Sequence, residues 1–197
     1  IFADLVDKVN NEEWRDAIEV FLGRNRFNLI VDAEYIEAAR DVFHEKKIQG
    51  TSLVFTDMLP VSEVTEGSAA SVLKITNIYA RRYANFLLND MRLCDTLAEL
   101  HKHSRGGIMR DGTVARGITM RNQKMDRVDY YLGAEAFELM CNALKSRRAE
   151  LYDIINATKR EAAHVSELLK VLSDRIFEEE YRFEAIPQLA ELSAKKL

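Results

Sequence analysis

Proline, cysteine and glycine are all scarce in this chain. Two prolines, Pro60 and Pro187, stand among 197 residues, so long stretches lack the residue that most firmly interrupts a helix. The two cysteines, Cys94 and Cys141, form no Cys-x-x-Cys pair. That excludes the commonest zinc spacing and a disulfide framework, and it fits a reducing, cytosolic setting. No apolar run approaches the ~20 residues that span a bilayer. No signal-peptide pattern opens the chain, and Ile1 rather than Met begins it, as expected of a piece excised from a longer protein. The phosphate-cradling Gly-x-x-x-x-Gly-Lys-Ser/Thr motif is missing, so no nucleotide or other cofactor site is expected within these residues. Four histidines and no nucleophile elbow assemble no Ser-His-Asp set. His101 and His103 stand two apart near a helix end and point to different faces, which makes them solvent-facing residues rather than metal ligands. No catalytic and no metal-binding residue is assigned.

What is present is uneven. The net charge of −4 hides an asymmetry. Residues 1–78 carry 8 Lys/Arg against 14 Asp/Glu, residues 79–127 carry 10 against 5, and residues 128–197 carry 10 against 13. A basic middle third in an acidic chain reads as a nucleic-acid footprint, a contact for an acidic partner, or solvated surface charge. Glycine is concentrated as well. Four of the eight glycines (106, 107, 112 and 117) fall in Ser104–Gly117, SRGGIMRDGTVARG. Asp111-Gly112 sits between two short β-type runs, a pattern that predicts a hairpin with a tight primed turn. On turn chemistry alone it reads as a surface hairpin.

Hydrophobic spacing organises the rest. Ile1–Val6 is short and apolar and predicts an entry strand. Asn10 or Asn11 caps a helix whose stripe is Trp14, Ala17, Ile18, Phe21 and Leu22, ended by Gly23. Phe27–Val31 is a buried-type strand. Asp32 or Glu34 opens a second helix, with Tyr35, Ala38, Ala39, Val42 and Phe43 as its inner face. Thr51–Phe55 is the next strand. Residues 57–77 form a connection, with a short helix over 68–73. From Ile78 the order restarts: a helix lined by Tyr79, Tyr83, Phe86 and Leu87, a strand at Met91–Cys94, a helix capped by Asp95 or Thr96 and carrying Leu97 and Leu100, then the strand Ile108–Arg110. Helix, strand, helix, strand therefore occurs twice, and predicts an α/β fold with parallel pairs. The halves are residues 1–56 and 78–133. After Ala134 a gap-free helical stretch repeats apolar or small residues at Leu151, Ile155, Thr158, Ala162, Val165, Leu169, Leu172 and Ile176. Their spacing of 4 and 3 is a coiled-coil seam, so 134–197 reads as an exit helix that Pro187 ends or kinks.

Four segments together carry a family resemblance: WRDAIEVFLGRNRFNLIVD at 14–32, KKIQGTSLVF at 46–55, YARRYANFLLNDMRLCDTLAEL at 79–100 and MRDGTVARG at 109–117. In their order they resemble the hinge domain of SMC (structural maintenance of chromosomes) ATPases over roughly residues 1–133. FNLIVDAEY, NIYARRYANFLL and YYLGAEAF are similar to the bacterial SMC-like branch found in Wadjet plasmid-defence systems. The SMC pattern often places a glycine pair after the final glycine of the turn, where this chain has Ile118-Thr119-Met120-Arg121. The resemblance implies a non-enzymatic hinge at the far end of a long antiparallel coiled coil, joining two copies into a homodimer. ATP and Mg belong to head domains elsewhere in the parent protein. Double-stranded DNA, accessory subunits and a cytoplasmic location on nucleoid or plasmid are the implied surroundings. The expected dimer interface comprises Leu53, Phe55, Gly106, Gly107, Met109, Gly112 and Gly117, with 51–55 and 107–116 as open strand edges. The expected phosphate contacts are Arg81, Arg82, Arg105, Arg110, Arg116, Arg121 and Lys124.

Overall fold

A computed structural model describes residues 1–103 and 105–194. Ser104, the first residue of the glycine stretch, and the last three residues of the exit segment lie outside the described residues, as does the side chain of Ile176. Two compact units are present, Ile1–Asn142 and Ala143–Leu197.

The first unit is mixed α/β. Its helices are α1 (Arg15–Leu22), α2 (Ile36–Glu45), α3 (Ile78–Leu88) and α4 (Leu97–Lys102). Its strands are β1 (Lys8–Val9), β2 (Leu73–Lys74), β3 (Arg92–Leu93), β4 (Gly106–Ile108), β5 (Thr113–Arg116) and β6 (Thr119–Asn122). Strands β1 and β2 form an antiparallel pair, and β3-β4-β5-β6 form a four-stranded sheet in that order. Three helix starts carry side-chain caps, whereas neither Asp32 nor Tyr35 makes one ahead of α2. Asn11 accepts the Glu13 N–H at 3.1 Å ahead of a 3₁₀ turn and α1. Asn77 accepts two N–H groups at the head of α3. Thr96 accepts the Glu99 N–H, while the Glu99 carboxylate accepts the Asp95 N–H at 2.8 Å, a reciprocal arrangement close to a capping box.

The internal repeat is present. In the second half, β3 and β4 pair in parallel around α4. In the first half, Leu29 and Leu53 form an isolated parallel bridge around α2. The two predicted strands there shrink to that bridge because Leu29 is held only by Ser52 and Val54, through bonds of 2.8 and 3.0 Å. The halves share one core: Ile18, Leu22 and Val54 from the first pack with Tyr83, Leu88, Ile108 and Val114 from the second. A satellite cluster of Cys94, Leu100 and Ala115 lies on the α4 side of the sheet.

Several expectations are corrected. Ile1–Val6 is not a strand; Ala3–Leu5 is a 3₁₀ turn, which seats Phe2 edge-on against Tyr83 at 5.2 Å. The stripe of α2 is not an inner face. Tyr35 and Val42 are more than half exposed, and Ile36 is the buried residue of that helix. On α3 the buried side is Ala80, Tyr83, Ala84 and Leu88, and Phe86 points outward at 62% exposure. The Asp111-Gly112 turn is not of the primed two-residue type. Met109 N–H donates to Thr113 O, Gly112 N–H donates to Met109 O, and only Gly112 has positive φ, which is a three-residue loop closed by a left-handed glycine. The primed geometry occurs one connection later. Gly117 at φ +66 and Ile118 join β5 to β6.

Helix α5 (Ala136–Ala194) begins in the first unit and makes up the described part of the second. The helix continues through Pro187, so the proline does not end it. Leu151, Ile155, Val165, Leu169 and Leu172 are all exposed. Among the described residues no helix is long and apolar enough to cross a membrane.

Candidate dimer interface and basic surface

The glycine stretch forms the middle of the sheet rather than its rim. Strand β4 pairs β3 on one side and β5 on the other, so 107–116 offers no open edge. A Cβ on Gly106 would stand 2.1 Å from Asp90 O, and one on Gly107 would stand 2.7 Å from the Leu100 side chain. Those two glycines answer to the chain's own packing. Met109 packs on the Cys94–Leu100 cluster, where burial also pushes the Cys94 thiol up. Gly112 lies against Met125. Of the four glycines in this stretch, Gly117 is the one with open space around it, at the turn into the outermost strand.

That outermost strand, β6, is the feature the sequence did not reveal, since all four of its residues are exposed. Gln123 N–H donates to Gly112 O at 3.0 Å. Antiparallel pairs alternate between bonded and non-bonded, so Arg121 and Thr119 face β5, and the backbone groups of Met120 and Asn122 face outward. A second open edge exists in the first half. Leu29 uses Ser52 O and Val54 N–H, which turns the N–H and C=O of Leu53 away from it. Among the described residues those two groups have no backbone partner. Two cavities flank this edge. One, of about 450 Å³, is walled by α2 with Phe43 and Ile48. The other, of about 340 Å³, is walled by Met58, Tyr83 and Phe86. Both are lined by Leu53 and Phe55.

The basic candidates separate into two groups. Arg81 donates to Ala70 O at 3.2 Å and to Leu73 O, and burial pulls its pKa down. Arg110 lies over the Trp14 ring at 5.1 Å and pairs with Asp95 at 2.9 Å and Glu13 at 3.3 Å. Both tie elements of the fold together. Arg105, Arg116 and Arg121 are exposed, Arg82 sits 6.0 Å from the Tyr79 ring, and Lys124 reaches Asp126 at 3.6 Å. Arg116 opposes Thr119, and Arg121 opposes Val114. Alternation therefore places both arginines on one face of the β5–β6 ribbon, and Met120 on the other with Ala115.

A cluster of buried charge, also unread from sequence, fixes the segment leading to α5. Glu19 is fully buried on α1. It pairs with Arg26 at 2.6 Å and accepts the N–H groups of Tyr131 and Leu132 at 2.9 and 2.8 Å. Arg26 also donates to Asp129 O and stacks on Tyr131. Arg15 donates to Leu132 O at 2.9 Å and pairs with Glu12 at 2.6 Å. Its hydrogen bond to Glu12 raises the pKa of Arg15 and lowers that of Glu12. Ala134 N–H donates to Asp7 O. The start of the chain and the root of the exit helix therefore lie side by side.

No family model and no curated protein matches the sequence. Solved structures do. The Pyrococcus furiosus SMC protein hinge domain is 21% identical with a TM-score of 0.50, over 61% of this chain and 69% of that one. An asymmetric dimer of the Geobacillus stearothermophilus SMC hinge domain is 20% identical with a TM-score of 0.51, over 80% and 68%. The Pyrococcus furiosus Smc hinge domain with an extended coiled coil is 22% identical with a TM-score of 0.51, over 81% and 61%. At these identities the likeness establishes the fold: two α/β halves arranged as in SMC hinge domains, with a long helix following.

Proposed function

We propose that this chain is a homodimerisation hinge of an SMC-like ATPase that organises or extrudes DNA. The observation that carries the proposal is the pair of unpaired strand edges, one in each half: Leu53 in the first and β6 in the second. Edges of this kind are covered by another chain or blunted, and two of them, on different halves, suit a two-fold dimer in which each half of one copy meets the opposite half of the other. The internal repeat supplies a direction. Strand β4, the counterpart of the Leu53 segment, is covered by the antiparallel β5, so β6 of a second copy is assigned antiparallel to Leu53. The neighbour described as an asymmetric hinge dimer supports self-association. The interface is thus Leu53 and Phe55 with Gly117 and β6. Gly106 and Gly107 support it from within the sheet, and Met109 and Gly112 from the β4–β5 loop.

The test is sedimentation at micromolar concentration. The expected result is a dimer burying roughly 1,200–2,000 Å². A folded monomer across that range removes the proposal.

The parent protein, on this reading, carries ATP- and Mg-binding heads and accessory subunits, and acts in the cytoplasm on nucleoid or plasmid DNA. The JetC subunits of Wadjet plasmid-defence systems and chromosome-maintenance SMC proteins are its two candidate settings. The exposed seam of α5 suits a second helix of the parent protein. Adjacency of Asp7 to Ala134 suits a domain inserted between the two strands of one coiled coil. DNA binding is assigned to Arg82, Arg105, Arg116, Arg121 and Lys124. A module that binds DNA and dimerises only incidentally is the alternative, favoured by the shared face of Arg116 and Arg121. It predicts duplex binding by a form held monomeric at its β6 edge.

A further inference from the structure

Two features of the first unit run against ordinary burial. The stripe on α2 that the sequence marks for burial is exposed, with Val42 at 51% and Phe43 beside an apolar cavity. At the far end of the sheet Ile118 is fully exposed, and Met120 is 63% exposed on the outermost strand. Neither patch is covered by the described residues. The first half thus carries a mostly apolar socket of about 450 Å³, and the second half an apolar projection.

We propose that Met120 and Ile118 of one copy insert into the socket that Phe43, Ile48, Leu53 and Phe55 form on a second copy, and that this contact determines which chain the hinge accepts. The inference rests on the dimer reading above and goes further by fixing the side of the sheet and the residues that discriminate. The register of β6 supplies the side. Met120 opposes Ala115, and Ala115 packs with Leu100 of α4, so Met120 stands on the α4 side of the sheet. Crossovers between parallel strands are right-handed in about 98% of cases. With β6 antiparallel to the Leu53 segment of the second copy, right-handed crossovers bring that copy's α2 onto the same side as α4. Met120 then faces the α2-walled cavity and not the one walled by Phe86. Ile118, at the start of β6, falls toward Phe55, the far end of the antiparallel segment. Charge is consistent with this placement. The socket rim carries Arg40 and Lys47, and Arg116 and Arg121 lie on the opposite face of the ribbon from Met120, away from that rim. A partner with a polar or glycine turn in place of Ile118 and Met120 leaves the socket as exposed apolar surface, which disfavours mixed dimers.

The experiment uses the full chain with Cys141 replaced by Ser. Met120→Cys is combined with Ile48→Cys in one protein and with Phe86→Cys in another, and each is treated with a short thiol crosslinker. The expected result is a covalent dimer from the 120/48 protein and none from the 120/86 protein. In parallel, Ile118→Ala with Met120→Ala is expected to raise the dimer dissociation constant at least ten-fold without lowering the thermal midpoint of the monomer, measured below the dissociation constant, because both side chains are exposed in the single chain. A dimer that crosslinks through 120/86 instead, or whose affinity is indifferent to the double alanine, overturns this inference and leaves the hinge reading standing. A wild-type chain that stays monomeric overturns both.

Discussion

Arg110 and Arg121 show how residues of one type, in one basic segment, come to different tasks. Arg110 is held by an indole face and two carboxylates, whereas Arg121 lies exposed on the outermost strand. Arg110→Ala is expected to cost about 1 kcal/mol of stability, the combined scale of a partly exposed cation–π contact and surface ion pairs, with duplex affinity unchanged. Arg121→Glu is expected to leave the thermal midpoint within a degree or two, weaken duplex binding and flatten its salt dependence by about one unit of slope. Thermal melts and salt-titrated anisotropy separate the two. Glu19 is the strongest single determinant of the exit segment. Replacing it by Ala strands a largely buried Arg26 and two backbone N–H groups, a loss of roughly 3–5 kcal/mol, readable by denaturant unfolding. Tyr130, pushed up to about 12 by burial and the neighbouring Asp16 carboxylate, gives a pH signature. Its folded pKa lies above its ordinary value near 10, so its contribution is complete below about pH 10 and is lost as pH rises toward 12. Tyr130→Phe is expected to flatten the fall in stability across that alkaline window, measured against wild type in matched melts.

Strand β6 is the element on which the proposed interface turns, and its hydrogen-bond alternation makes a sharp test. Proline is tolerated where an edge N–H faces solvent and not where it serves the ladder. Met120→Pro removes an outward N–H, so the hairpin is expected to survive while strand addition fails; sedimentation should report a folded monomer. Arg121→Pro removes the N–H that donates to β5 and is expected to detach β6, seen as lost protection of Val114 and Arg116 in hydrogen exchange. The same element shows where sequence reasoning stops. The alternation of helices and short strands is legible because the helices carry apolar residues at helical spacing and the segments between them are short and apolar. Strand β6 has no buried side, hence no period-two signal, and Thr-Met-Arg-Asn reads as loop. Ile1–Val6 departs from its expectation for the opposite reason: six residues of apolar sequence suit a strand and a 3₁₀ turn equally, and only the tertiary packing of Phe2 on Tyr83 decides between them. The stripe of α2 is legible as apolar but not as exposed, because periodicity reports an apolar face and not what lies against it. The seven arginines and lysines were legible as a basic segment, but a one-dimensional charge count does not register that Arg81 and Arg110 are occupied at home.

At the scale of the whole molecule, two surfaces compete for the credit of bringing copies together. One is the pair of strand edges within Ile1–Asn142; the other is the exposed seam of α5, where Leu151, Ile155, Val165, Leu169 and Leu172 repeat at coiled-coil spacing. A seam of this kind, left open, associates with any helix of matching heptads, so a dimer of the full chain does not by itself assign the contact. Truncation after Asn142 does. The shared core, the Glu19–Arg26 pair and the Arg15 contacts to Leu132 and Glu135 all fall before the cut, so the shortened chain is expected to fold. If the edges hold the dimer, it sediments as a dimer with a dissociation constant within about three-fold of the full chain, and Met120→Pro makes it monomeric. If the seam holds the dimer, truncation alone gives a monomer and Met120→Pro in the full chain changes nothing. The two outcomes exclude each other, and the first is the one that the proposed pairing of open edges predicts.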